Sequence, residues 1–169
     1  STSTETSTET ATATTPIEAG KLCVVLGPGM AKAMAEAAVL ASLKKAKIPI
    51  HCVVGTEMGA VVGALFAFSN GSANSLQWQL FKLNKNIYFN FPMLSLQEPR
   101  STGKKLHDFL RGAFKSKRVE ELPILFATTA VDEERGVAVE WERGDLEEIL
   151  SASVAVPGML DPWKTSDGL

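Results

Sequence analysis

The strongest chemical signal is the segment Gly55-Thr56-Glu57-Met58-Gly59, which lies between a strand-like run and a helix-like run. Ile48 to Val54 is apolar and β-branched and predicts a buried strand, whereas Met58 to Phe68 predicts a helix. A strand that enters a helix through a glycine-flanked turn is typical of a nucleophile elbow. The central side chain then lies over the helix N-terminus, whose N–H groups and positive potential favour an alkoxide or a fixed carboxylate. Here that central residue is Glu57.

A second turn, Gly27-Pro28-Gly29, follows the apolar run Leu22 to Leu26 and precedes Met30 and a helix-forming stretch, Ala31 to Lys47. Two successive strand–turn–helix units predict parallel strands. We expect this turn to lie near Glu57. Its N–H groups could point at the same space, although Pro28 has no N–H to donate and Met30 adds bulk.

The rest of the pattern completes an α/β domain. The second half predicts three helices and a β-hairpin, namely Ser75 to Leu83, Lys104 to Lys115, Asp145 to about Ser153, and the strands Ile124 to Val131 and Val137 to Trp141 around Asp132 to Gly136. Continuous apolar strands indicate that both sheet faces are covered. We predict a three-layer α/β fold with a mainly parallel central sheet and helices on both faces, incomplete at its C-terminal side.

Four separated segments together resemble the patatin-like phospholipase family and occur in that family's order. They are Val53 to Leu65 around the elbow, Leu122 to Asp132, the helix start Gly144-Asp145-Leu146, and Ser151-Ala152-Ser153 to Val156-Pro157-Gly158. The resemblance covers about Lys21 to Trp163. It implies that residues 21–169 are the N-terminal portion of a patatin-like domain, while composition predicts a flexible Ser/Thr-rich tail over residues 1–20.

The resemblance also assigns roles to individual positions, and this sequence departs from each of them. In the family an elbow serine and the aspartate of a later Asp-Gly pair form a catalytic dyad, but the serine position holds Glu57. Asp167-Gly168 is the only Asp-Gly pair in the chain, so Asp167 is the candidate acid. That pair fits a hairpin turn better, which would place the acid beyond Leu169.

The family's glycine-rich loop supplies the oxyanion hole, and its counterpart here is Gly27, Pro28, Gly29 and Met30, with Lys32 close to the usual arginine. A one-residue shift would instead place Gly27 and Gly29 on the family's glycines. Met58, directly after the elbow residue, belongs to the same binding region, while Gly55, Thr56 and Gly59 form the elbow itself.

Four interpretations of Glu57 are open: a fixed anion that fills the site, a covalent nucleophile, an engineered substitution in an active enzyme, or a misalignment. A glutamate that attacked an ester would form an anhydride, and no water-activating histidine is evident nearby. We expect a catalytically silent module that binds a lipid, an acyl group or a partner chain through the former active-site cleft. The alternatives are a lipid acyl hydrolase with an altered nucleophile and a structural subunit of a larger assembly.

Composition limits the other possibilities. A net charge of -2 over 169 residues does not favour nucleic acid as a partner, and no apolar run approaches the ~20 residues of a membrane span. We expect no cofactor and no structural metal, because paired Cys/His spacings are missing from the sequence. A second chain or second copy is expected to cover the C-terminal sheet edge. The location is open: cytoplasmic, or the cell envelope if the tail is a tether.

Four side chains and two segments have simpler interpretations. Cys23 and Cys52 are expected as buried free thiols, His51 at a strand edge, and His107 on the solvated side of its helix. The basic stretch from Arg100 to Arg118 predicts a solvated helix face. Alternatively it could contact anionic head groups together with the aromatic stretch Tyr88 to Phe91.

Overall fold

The computed structural model describes residues 20–29, 32–87 and 103–166. Within these residues there are four strands and five α-helices: β1 Leu22–Leu26, α1 Ala33–Lys45, β2 Ile50–Thr56, α2 Met58–Phe68, α3 Ala73–Ile87, α4 Lys104–Phe114, β3 Leu125–Asp132, β4 Val137–Trp141 and α5 Leu146–Ser153. A short 3-10 helix, Val119–Glu121, precedes β3 and was not predicted. The other elements match the predicted ones within a few residues at their ends.

The strands form one sheet in the order β1-β2-β3-β4. β1 pairs with β2 in parallel, β2 pairs with β3 in parallel, and β4 closes the sheet as the antiparallel hairpin partner of β3. The α/β class and the mainly parallel sheet are therefore confirmed. Leu26 is in register with Gly55, and Gly55 with Thr128, so the carboxyl ends of the three parallel strands meet at one edge.

Helix α2 is the centre of the core, because every residue from Met58 to Ala67 is buried. It packs against β2 and β3, where Val53 and Phe126 are also buried. α1 and α3 pack on α2, α5 packs on β3, and α4 packs on α5. Full burial of a leucine- or phenylalanine-sized side chain stabilises by roughly 1.5–3 kcal/mol, so this helix holds the elbow rigidly from below.

The two sheet faces differ within the described part of the chain. Val53 and Phe126, on the face toward α2, are buried, whereas the opposite face exposes Val25 by 76% and Leu125 by 72%. Any second helical layer on that face is not part of the described residues.

The structure corrects the prediction of free cysteines. Cys23 and Cys52 are direct partners in the β1–β2 register, with Cα atoms 4.5 Å apart, and their sulfurs form a disulfide. The ladder shifts by one residue just before this pair, and His51 is the extra residue of β2. His51 is therefore the second residue of β2, close to the beginning of the strand.

His107 was predicted to be solvated, and this prediction was also wrong. His107 is buried in α4, its Nδ1 lies 2.9 Å from the Oγ of Ser151 in α5, and its ring packs against Trp163 with centroids 4.3 Å apart. Burial lowers the pKa of His107, and the charge of Arg111 lowers it further, whereas Glu147 and Asp108 oppose the shift. The contact between His107 and Ser151 links α4 to α5.

Helix α5 begins as predicted. The Asp145 side chain accepts the N–H of Glu148 at 3.1 Å and caps the first turn. None of the helices in the described ranges has both the length and the apolar character that a membrane span requires.

Candidate functional site

Glu57 lies in a strained turn between the last residue of β2 and the first of α2. Its backbone has φ 55° and ψ -126°, a conformation that residues with a Cβ rarely adopt. The flanking glycines make this turn possible. A Cβ at Gly55 would lie 2.5 Å from the Ala60 Cα, and one at Gly59 would lie 2.5 Å from the Gly27 carbonyl oxygen. The geometry is that of a nucleophile elbow, packed directly against the Gly27 turn.

The Glu57 carboxylate bonds to the glycine turn after β1. Its Oε2 accepts the backbone N–H of Gly29 at 2.7 Å, and only 7% of the residue is exposed. Hydrogen bonds to an ionised acceptor are about twice as strong as neutral ones. The carboxylate thus occupies a donor that faces the elbow position.

A second carboxylate, Glu36 of α1, holds the other end of the same turn. Its Oε1 accepts the Gly27 N–H at 2.8 Å, while its Oε2 is buried and has no hydrogen-bond partner among the described residues. Burial raises the pKa of Glu36, the Gly27 N–H lowers it, and the nearby charge of Glu57 raises it further. Glu36 was not predicted as a site residue from the sequence, although its place in the first turn of α1 was a possible signal.

Ser153, the last residue of α5, connects the elbow to the sheet. Its Oγ donates to the Thr129 carbonyl at 2.8 Å and accepts from the Thr128 hydroxyl at 3.0 Å and the Glu57 N–H at 3.1 Å. Ser153 was predicted only as part of a similar segment. Its role depends on the close approach of the end of α5 to the middle of β3 in the tertiary structure.

Four of the other predicted site residues, Met58, Thr56, Pro28 and Lys32, have described positions, whereas Met30 and Asp167 do not. Met58 is buried at the start of α2, Thr56 is half-buried at the end of β2, and Pro28 is exposed between the two glycines. Lys32 is exposed, and its N–H bonds the Gly29 carbonyl at 2.9 Å. Met30 and Asp167 lie outside the described residues, so the predicted roles of these two residues stay predictions.

A cavity of about 400 Å³ opens beside this network, between the β3–β4 hairpin, α5 and residues 162–165. Its walls include Ala130, Trp141, Ala152 and Trp163, with Asp132 to Arg135 at one side. Ala130 follows Thr129 and Ala152 precedes Ser153, so the cavity adjoins the residues that hold the elbow, although Glu57 does not line it. The indole Nε1 of Trp163 is buried and has no hydrogen-bond partner within the described structure.

The elbow and the glycine turn are both occupied by carboxylates. A carboxylate stands at the nucleophile position, and the N–H groups of Gly27 and Gly29 both donate to glutamates. Within the described ranges, three or more His, Cys, Asp or Glu side chains nowhere converge in a way that could hold a metal ion.

Comparison with known proteins identifies the family of the chain. Residues 24–168 match the family model described as patatin-like phospholipase. An uncharacterized NTE family protein of Mycobacterium tuberculosis is 28% identical over 155 residues, which are 88% of this chain and 41% of the relative. Human patatin-like phospholipase domain-containing protein 6 is 26% identical over 83% of this chain and 10% of its own length. Mouse patatin-like phospholipase domain-containing protein 7 is 25% identical, with 83% and 11% covered. The chain thus spans about two fifths of the mycobacterial relative and about a tenth of the vertebrate relatives.

Proposed function

Because the chain belongs to the patatin-like phospholipase family, we propose that it is a catalytically silent member whose former active-site region binds a lipid acyl group. The observation that carries the proposal is the 2.7 Å hydrogen bond from the Gly29 N–H to the Glu57 carboxylate. A built-in anion at the elbow takes the place of both the attacking group and the developing oxyanion.

Two features of the site support a lack of ester hydrolysis, one at the nucleophile position and one at the oxyanion donors. First, attack by the Glu57 carboxylate on an ester would give an anhydride. In the described structure, the carboxylate of Glu57 accepts from Gly29 and its backbone N–H donates to Ser153. Second, a preorganised oxyanion donor is worth about 10²–10³ in rate. The Gly27 N–H is bonded to Glu36, the Gly29 N–H is bonded to Glu57, and Pro28 has no N–H.

Acyl binding is supported by the cavity next to the elbow network. Trp141, Trp163, Val131 and Val139 give it apolar walls, and its volume of about 400 Å³ is within the range of small-molecule sites. Each buried methylene of an acyl chain contributes about 0.8 kcal/mol. The N–H of Trp163, which lacks a partner in the described structure, could donate to a carbonyl or carboxylate oxygen of the ligand.

Hydrolysis of a short-chain nitrophenyl ester tests the silent part of the proposal. Wild type and Glu57→Gln should show no turnover above background. Glu57→Ser should recover little, because Glu36 still holds the Gly27 N–H and Pro28 still lacks one. Wild-type turnover that Glu57→Gln abolishes would instead support the alternative, a lipid acyl hydrolase with an altered nucleophile.

Titration with a fluorescent fatty acid tests the binding part. Ala152→Phe fills the cavity from α5 and should weaken binding by roughly tenfold or more, the equivalent of a few lost methylene contacts. Ala138→Phe is the matched control, because Ala138 is exposed in β4 and does not line the cavity. Equal affinity in wild type and Ala152→Phe would exclude this cavity as the acyl site.

A further inference from the structure

Helix α3 presents two large aromatic side chains to solvent. Trp78 and Phe81 are 60% and 61% exposed, and their rings stack with centroids 6.2 Å apart and planes 16° from parallel. The Nζ of Lys82 lies 5.4 Å from the Trp78 ring centroid. Contiguous exposed apolar area often marks an interaction site. The ammonium of Lys82, attracted to the face of the Trp78 ring, places a positive charge beside this one.

The aromatic pair continues into a groove of about 470 Å³ between α1 and α3. Met34, Ala37 and Ala41 form the α1 wall, and Leu76, Leu80 and Phe81 form the α3 wall. Because Phe81 belongs to both features, the groove and the pair make one apolar area, here called the α1–α3 surface. Glu57 is not part of the α1–α3 surface, so the role of this surface is independent of the proposed lack of hydrolytic activity at the elbow.

The charge around the α1–α3 surface is positive. From Gly59 to Gln97 the sequence contains no acidic residue. Helix α3 carries Lys82. Helix α1 ends in the exposed Lys44 and Lys45, the exposed Lys47 follows it, and Lys44 lies against Gly71 before α3. Helix α1, all of it described, has a single acidic residue, Glu36, which is half-buried and bonded to Gly27. The surface is therefore complementary to a negatively charged partner.

We propose that the α1–α3 surface docks onto an anionic lipid surface. Trp78 and Phe81 enter at head-group depth, and the lysines contact the lipid phosphates and carboxylates. Tryptophan favours the membrane–water boundary because its ring is apolar and its N–H is polar, and lysine extends its ammonium back to water. Lysine is depleted from the cores of protein–protein interfaces, so Lys82 over the Trp78 ring favours a lipid partner over a protein. Apolar insertion combined with basic residues is the usual basis of peripheral membrane binding.

Vesicle flotation tests the proposal on the full 169-residue chain. The chain should float with phosphatidylcholine vesicles that contain about one quarter phosphatidylserine, less with pure phosphatidylcholine, and less at high salt. Lys82→Ala should weaken binding roughly fivefold at low salt, and Trp78→Gln with Phe81→Gln roughly tenfold or more. Leu125→Gln is the matched control, since Leu125 is 72% exposed on the open sheet face, and it should leave flotation unchanged. Melting curves establish that each variant is folded.

A second readout locates the contact. Brominated lipids in the same vesicles should quench tryptophan emission in wild type, and Trp78→Phe should still float but lose most of this quenching. Flotation that is insensitive to the aromatic and lysine changes would overturn the proposal. So would a chain that ignores vesicles but forms a dimer that Trp78→Gln dissociates, because the surface would then join two copies.

Discussion

The Oε2 of Glu57 lies 2.7 Å from the backbone nitrogen of Gly29, so the elbow after β2 and the turn after β1 are joined by a carboxylate–amide hydrogen bond. The bond bridges residues 28 positions apart in the chain. It also balances part of the backbone strain that the positive φ of Glu57 introduces.

Glu57→Gln should destabilise the fold by about 1 kcal/mol at neutral pH, because an amide oxygen is a weaker acceptor for the Gly29 N–H than a carboxylate. The measurement is the urea midpoint at pH 7. Glu140→Gln, an equal change at an exposed position of β4, should leave the midpoint nearly unchanged. A higher midpoint in Glu57→Gln would mean that the anion is tolerated at a cost, and a ligand-binding or catalytic role for Glu57 would become the better hypothesis.

Ser153→Ala should cost about 1–3 kcal/mol, since it leaves the buried Thr128 hydroxyl and the Glu57 N–H without their acceptor. Calorimetry should show the lower melting temperature. Ser42→Ala removes only an exposed hydroxyl bonded to the Ala38 carbonyl and should change stability by less than about 0.5 kcal/mol. Similar effects of the two substitutions would refute a structural role for Ser153 at the elbow.

Gly59→Ala should destabilise by about 2–4 kcal/mol, because the new Cβ would lie 2.5 Å from the Gly27 carbonyl oxygen and 2.9 Å from the Leu26 carbonyl carbon. Backbone atoms cannot rotate aside, so the Gly27 turn must move away from Glu57. Gly112→Ala in α4 is the control. A Cβ added at Gly112 would meet nothing within 4 Å, so this substitution should stabilise the fold by about 0.5–1 kcal/mol. Denaturant unfolding of both variants distinguishes the two effects by sign.

The pKa of Glu36 should make stability depend on pH. Burial raises this pKa above its ordinary value of 4.5, so the folded state binds the proton more readily than the unfolded chain. Stability from this group is therefore fully present below the unfolded pKa and falls as pH rises through the folded pKa. Glu36→Gln cannot ionise at this position. Its melting temperature should therefore rise relative to that of wild type as the pH increases from about 4 to about 7. Glu142→Gln, at an exposed position just after β4, is the control; a gain of equal size there would contradict the assignment.

The titration of His107 should change the stability in the opposite direction with pH. Burial lowers its pKa below 6.5, so stability is fully present above the unfolded pKa and is lost as pH falls through the folded one. His107→Phe keeps a ring against Trp163 but cannot ionise, and it leaves Ser151 without its ring nitrogen. The variant should be less stable than wild type near pH 8, and the difference should shrink toward about pH 5. Melting curves that stay parallel over this range would show that His107 does not titrate with folding.

Local chemistry in the sequence determined the strands, the helices and the elbow. The β-branched runs before Gly27 and Gly55 predict parallel strands, and glycine on both sides of Glu57 predicts a turn too tight for side chains. The structure bears this out, because a Cβ at Gly55 or Gly59 would collide with backbone. Asp145 was likewise predicted as a cap, since its role depends on an N–H three residues away.

The tertiary structure alone decided the partners that are distant in the chain. Glu36 bonds Gly27 because α1 turns back over the loop from which it starts, and His107 is buried because residues near Trp163 fold over a helix face that its own spacing assigns to solvent. Cys23 meets Cys52 only through a one-residue shift in the β1–β2 ladder, which no hydrophobic pattern encodes. Periodicity in a sequence reports which face of an element is apolar, whereas the identity of the covering residues depends on register and packing between segments far apart in the chain.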